Sequence, residues 1–291
     1  MFYRFKKEYA YLTIPMILIM GMVIAWPLIQ TFMMSFTDAD LLGIKGSTFT
    51  GLKNFVGAFS NRGFVNALKV SGTFAVVVVS AEVLLGTAAA LLVNEPLKGS
   101  RIVRVFLILP WAVPTIVNAI MWRLIYNPEY GALNSLLYQL GIISKYESWL
   151  GNGNIALWAI MFADVWKNFS LVSLIVVSSL QSLPDVQIEA AKIDGANAPQ
   201  RFFFITMPHI IPAIQIALVL RIIEAVKVFD IIYVMTKGGP ANKTRSGSIF
   251  VYQEAFTNSR IGAGSAYAII MVAFIMILIL AYMKILSRQK R

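Results

Sequence analysis

Residues 264–286 read GSAYAIIMVAFIMILILAYMKIL, with one charged residue, Lys284, near the far end. A helix needs about 20 apolar residues to cross a bilayer core of about 30 Å, so this stretch can span a membrane by itself. Five further stretches meet the same requirement, at about 10–35, 69–93, 102–126, 155–180 and 210–236. Composition agrees. Of the 291 residues, 58% are hydrophobic and only 13% charged, with a mean hydropathy of +0.72. A soluble domain would need roughly a quarter of its residues charged to keep its surface wet. The expected fold class is therefore an all-α membrane protein: six transmembrane helices in a single domain, 1–291.

The first span follows Arg4, Lys6 and Lys7, as the core of a signal peptide would. It is too long for that role and no small-x-small cleavage site closes it, so it reads as a retained span. Orientation follows from basic residues near the span ends. Arg4, Lys6 and Lys7 at the amino end, Lys98, Arg101 and Arg104 after span two, and Lys284, Arg288, Lys290 and Arg291 at the carboxyl end all fall on one side. That side is expected to be the cytoplasm, with both termini inside. The opposite loops carry Lys237, Lys243 and Arg245, spread over longer stretches. The net charge of +11 belongs to these scattered span ends and forms no dense stripe, so lipid headgroups are the expected partner, and no nucleic acid.

Several chemistries are excluded at once. With no cysteine there is no disulfide, thiolate metal site or Cys nucleophile, and the single His209 defeats any motif that needs two. His209 itself reads as an interfacial residue at a loop–span junction. No GxxxxGK[ST] loop is present, so any ATP dependence must come from another chain. On the outer side, Phe49–Phe59 spaces its apolar residues like a short surface helix after a Gly51 turn, and Lys237-Gly-Gly-Pro240 ends span five. Either element serves loop packing or docking.

The connector 181–209, between spans four and five, is unusually long for a compact domain. Ser182, Pro184 and Asp185 supply helix-start chemistry. Glu189-Ala190-Ala191 gives a helical face of small side chains, Asp194-Gly195 a break, and Phe202, Phe203 and Ile205 an apolar face before Pro208. Two short helices joined by a glycine turn, presenting small residues, describe either a knob for a partner's cleft or an interfacial connector.

Charges inside the spans are the other unusual feature, since each costs about 2.5–3.5 kcal/mol at a helix centre. Span five carries Arg221, Glu224, Lys227 and Asp230 at i,i+3 spacing with alternating sign. The row serves as an ion-pair ladder between spans, as a polar lining with Ala225 and Val228, or as both. Span four adds Asp164 and Lys167 beside Trp166, Asn168 and Ser170. There the alternatives are structural pairing and a solute path, with Trp166 as a platform for a sugar ring. Glu82, Arg123 and Lys69 read as packing or span-end residues.

The segment EAAKIDGANAPQRFFFITMP (189–208) resembles the EAA signature of binding-protein-dependent ABC importer permeases, through Glu189, Ala190, Ala191, Gly195, Ile205 and Pro208. Met207 stands where the signature has leucine, a volume-conserving exchange. GLKNF (51–55), LPWAVP (109–114), DVWK (164–167) and FDIIYVMTKGGP (229–240) extend the likeness along the whole chain. Together they resemble the carbohydrate-uptake permeases of the MalF/UgpA type, which implies the type I ABC importer transmembrane fold. The resemblance also implies that Glu189, Ala190, Ala191, Asp194, Gly195, Phe202 and Pro208 couple the chain to an ATPase, and that spans four and five line the sugar path. It implies a second homologous permease, two ATPase copies that bind ATP and magnesium, and an extracytoplasmic solute-binding protein; this chain would bind no cofactor and catalyse nothing. The rival is a proton-coupled secondary transporter titrating Glu224 or Asp230, and a membrane hydrolase is remote without Cys or GxSxG. The solute itself stays open among neutral saccharides, polyols and anions such as glycerol phosphate or sulfonated sugars.

Overall fold

The computed structural model describes residues 7–43, 47–94 and 100–289; the side chains of 7–12, 100, 101, 103, 104 and 285–289 lie outside that description. The orientation-setting residues Arg4, Lys6, Lys98, Lys290 and Arg291 therefore fall outside the described residues, as do the side chains of Lys7, Arg101, Arg104 and Arg288.

In chain order the helices are α1 (Lys7–Met20), α2 (Trp26–Met34), α3 (Lys53–Ser60), α4 (Arg62–Asn94), α5 (Ser100–Ala112), α6 (Thr115–Ile125) and α7 (Ala132–Gln139). There follow α8 (Ala156–Leu180), α9 (Asp185–Ile193), α10 (Ala198–Arg201), α11 (Met207–Val226), α12 (Asp230–Met235), α13 (Gly247–Tyr252) and α14 (Ile261–Gln289). Short π-helical turns precede α2 and α11 and follow α13. Among the described residues, five helical stretches are long and apolar enough to cross a membrane, and α5 with α6 makes a sixth if the pair is one span.

Two spans differ from their expected form. The stretch 102–126 is not one rod: α5 and α6 meet at 100°. Pro110 and Pro114 explain it, because each lacks an N–H and Pro114 also keeps Val113 out of the helical region. The stretch 210–236 is likewise interrupted. Helix α11 stops at Val226, Phe229 leaves helical geometry (φ −134°, ψ −63°), and α12 restarts at Asp230. Hydroxyls satisfy the carbonyls freed there: Ser246 donates to Val228 O at 2.8 Å and Ser248 to Lys227 O at 3.0 Å. A break at membrane depth survives only where neighbouring protein supplies such partners.

The chain divides into two compact units. The smaller comprises Met1–Val65 and Phe250–Phe274. Its centre is an aromatic cluster in which Phe64 stacks on Tyr267 at 4.6 Å and Phe250 packs against both. Asn61 caps α4, accepting from the Gly63 and Phe64 N–H groups. The surface helix expected at 49–59 forms as α3, after a turn at Gly51 with φ +58°.

The larger comprises Asn66–Ile249 and Ile275–Arg291, and its core joins α4, α8 and α11. Ala90, Val172, Val176, Leu180, Ile210 and Ala217 form one buried apolar cluster, with Ile214 packed against it. Positions 172, 176 and 180 repeat every four residues and share one face of α8. Gly86 lets α4 approach α8: a Cβ there would lie 2.6 Å from Val172 Cβ and 2.7 Å from Phe169 O. Helix α6 docks on α8 through Asn118 Nδ2, which donates to Ala163 O at 3.3 Å, and Tyr126 Oη, which donates to Ala159 O at 3.1 Å.

Candidate functional site

The two broken spans meet at a cavity of about 310 Å³. Trp111 and Thr115 flank the break in one, and Lys227, Val228, Phe229 and Asp230 form the break in the other. Asp164, Lys167 and Asn168 of α8 and Arg221, Glu224 and Ala225 of α11 complete the wall, with Phe74 and Ile231. Interrupted helices leave carbonyls without intrahelical partners. Lys167 Nζ donates to one of these, Trp111 O, at 3.5 Å.

Arg221 organises the buried side of the wall. Its Nε donates to Glu82 Oε2 at 2.7 Å and its Nη2 to Glu82 Oε1 at 2.9 Å, a bidentate pair on α4. Nη2 also donates to Asp164 Oδ2 at 3.1 Å on α8, and Nη1 to Glu224 one turn ahead on α11. Arg221 is 2% exposed and Glu82 0%, so water does not screen the pair. Glu224, by contrast, is exposed, as are Lys227 and Asp230.

The charge row of span five therefore pairs between spans through Arg221, which reaches Glu82 and Asp164. The i,i+3 spacing assumed a continuous helix, and only Arg221–Glu224 survives as a pair within it. Among the described residues, the other ion-pair partners of Arg221 are Glu82 and Asp164, from two different helices. Glu82, expected as a packing residue, sits at the centre of this network.

At the other end of α8 and α11 lies the connector 181–209. Helix α9 buries none of its residues and neither does α10. Val186 is 73% exposed, Ile193 87% and Phe204 79%, an unusual amount of uncovered apolar surface for a polar loop. Gly195 takes φ +80°, the left-handed conformation that ends α9. Asn197 and Gln200 form a reciprocal capping box that starts α10. Ser182, expected to cap α9, does not: its hydroxyl donates to Ser179 O at 2.7 Å and lies 3.1 Å from the His209 ring, which ties the two ends of the loop. Pro184 occupies the cap position instead.

The family described as binding-protein-dependent transport system inner membrane component matches residues 82–291. This chain belongs to that family. The trehalose/maltose transport system permease protein MalF of Thermococcus litoralis is 38% identical over 283 residues, 97% of this chain and 95% of that one. The sn-glycerol-3-phosphate transport system permease protein UgpA of Brucella abortus is 34% identical over 275 residues, 92% of this chain and 90% of that one. Among solved structures, a bacterial ABC transporter involved in import of the acidic polysaccharide alginate aligns at a TM-score of 0.85 and 22% identity, covering 97% of this chain and 96% of that one. The fold is that of the type I ABC importer permease, a multi-pass membrane protein.

Within this permease, most of the path residues expected from sequence come together. Asp164, Lys167, Asn168, Arg221, Glu224, Ala225, Val228 and Asp230 line the cavity. Trp166 and Ser170 are not among the lining residues. Trp166 meets Trp122 edge-on at 5.8 Å, and Ser170 is fully buried. The aromatic wall is supplied by Phe74, Trp111 and Phe229, which reasoning from charge and span membership missed. For Trp111 the signal lay in the prolines at 110 and 114, since an interrupted apolar stretch points to a membrane-depth binding site. On the connector, Glu189, Ala190, Asp194, Gly195 and Pro208 are exposed, while Ala191 and Phe202 are half-buried; Phe202 packs edge-on against Phe203 at 5.0 Å.

Proposed function

We propose that this permease forms, with a second homologous permease, the membrane path for a sugar or sugar-like solute delivered by an extracytoplasmic solute-binding protein. Two cytoplasmic ATPase subunits, which bind ATP and magnesium, drive the cycle; this chain carries no cofactor and performs no chemistry. The connector 181–209 lies on the cytoplasmic side with both termini, and its helices α9 and α10 seat in the ATPases.

One observation carries the reading. A polar cavity sits where two spans break, joined by a packed three-helix core to an exposed loop whose apolar residues are uncovered. The cavity wall mixes acids, bases, an amide and an indole, a donor and acceptor set suited to hydroxyl-rich molecules. Trehalose, maltose, glycerol 3-phosphate and alginate, named for the relatives, all carry hydroxyls. Trp111, at the cavity wall, is the platform on which an apolar sugar face can rest. Alternating access then needs only that the loop follow the ATPases and that the wall open at its two breaks.

The experiment is reconstitution in proteoliposomes of this chain with its second permease, ATPase and binding protein. ATP-dependent uptake of a labelled disaccharide or glycerol phosphate, abolished by Gly195→Val, supports the reading. Uptake by this chain alone, driven by a pH gradient through Glu224 or Asp230, overturns it.

A further inference from the structure

We propose that Arg221 is a positioning residue that clamps α4, α8 and α11 into one lever, through which the 181–209 loop moves the cavity wall. It is not a solute contact. The proposal rests on the importer reading above and adds how displacement travels from loop to cavity.

The guanidinium has five N–H donors. One goes to Glu224, two to Glu82, and Nη2 is shared with Asp164, so its hydrogen bonding is largely spent inside the protein. At 2% exposure it offers a solute little surface. Its partners lie on α4 and α8, the two helices that α11 already meets in the apolar core. That core fills the loop-side half of the three helices: Leu180 and Ile210 flank the connector itself, and Val176, Val172 and Ala217 follow towards the cavity. From Leu180 to Asp164 is about 24 Å at 1.5 Å per residue. Apolar packing secures one end of this length and the Arg221 network secures the other. Gly86 draws α4 against α8 one turn from Glu82, so the clamp closes at short range.

Beyond the clamp the chain is interrupted. Helix α11 ends at Val226, and α5 ends at Ala112 across the cavity. A lever must be stiff between its ends and free beyond them, and the charge network lies at that boundary. Without the clamp, the loop still follows the ATPase, but α11 can slip against α4 and α8, and the wall no longer follows the loop.

The test uses the full transporter with cysteine-free partners, since this chain has no cysteine of its own. A reporter cysteine is placed at Thr115→Cys in the cavity or at Gln187→Cys on the loop, and its modification rate by a charged methanethiosulfonate is read with and without ATP and vanadate. In the wild-type background both rates should change on trapping. With Glu82→Gln the Gln187→Cys response should persist, while the Thr115→Cys response falls by about five-fold or more, the lower end of usual coupling between sites. Arg221→Lys, which keeps the charge but not the fork, takes the place of Glu82→Gln if that variant does not assemble, and should show the same split. A Thr115→Cys response that stays intact in these variants overturns the lever. No response at either reporter in the wild-type background instead overturns the importer reading.

Discussion

Arg221 and Glu82 are 139 positions apart, and nothing in their local sequence pairs them. Periodicity reaches only one or two helical turns, so it offered Glu224, Lys227 and Asp230 as neighbours, and one of these became a partner. Bringing an arginine and two carboxylates into a buried core is costly unless each finds an opposite charge in good geometry. The bidentate fork on Glu82 meets that demand. Removing one side of the pair strands the other: Arg221→Met should lower the stability of the purified permease by about 3–5 kcal/mol, read as a fall in thermal unfolding temperature in detergent. Gly86 offers a second residue-scale test. Gly86→Ala places a methyl against Val172, and overpacking of this kind costs about 1–3 kcal/mol. Pairing it with Val172→Ala should recover part of the loss; an additive double variant would mean that the two sites do not touch.

Helices α9 and α10 depend on local backbone chemistry, because none of their residues is fully buried within the chain. Gly195 at φ +80° and the Asn197–Gln200 box between them set their mutual turn. Asn197→Ala should cost about 1 kcal/mol of local helix stability, leaving the unfolding temperature of the whole permease nearly unchanged while reducing ATPase retained on affinity purification. Phe204→Ser is expected to do the same, since its ring is 79% exposed and contributes little to the fold itself. Equal retention in both variants would place the ATPase contact elsewhere. This element was largely legible beforehand: glycine as a breaker and proline as a helix opener act within a few residues. The capping was less so. Ser182 matched the pattern for a cap, yet its hydroxyl donates back to Ser179 in the last turn of α8 and lies against His209, which the returning loop brings close.

At the scale of the whole molecule, the absence of cysteine allows the topology to be read directly. On the proposed orientation, with both termini cytoplasmic, Gln187→Cys in cells should react only with a membrane-permeant maleimide, and Asn152→Cys, between α7 and α8, should also react with an impermeant one. The reverse pattern would invert the orientation drawn from the basic span ends. The length of each apolar run and its excess of Lys and Arg are properties of consecutive residues, and a bilayer reads them one segment at a time. For that reason membrane character, the approximate crossings, the connector and its glycine turn followed from the chain alone. The breaks at 113–114 and 227–229 did not. Proline in a membrane helix is compatible with a kink or a full interruption, and the outcome depends on whether neighbours satisfy the freed carbonyls. Here Ser246, Ser248 and Lys167 do so from other parts of the chain. The cavity, its aromatic wall and the partners of Arg221 exist only where distant helices meet, and tertiary packing alone decided them.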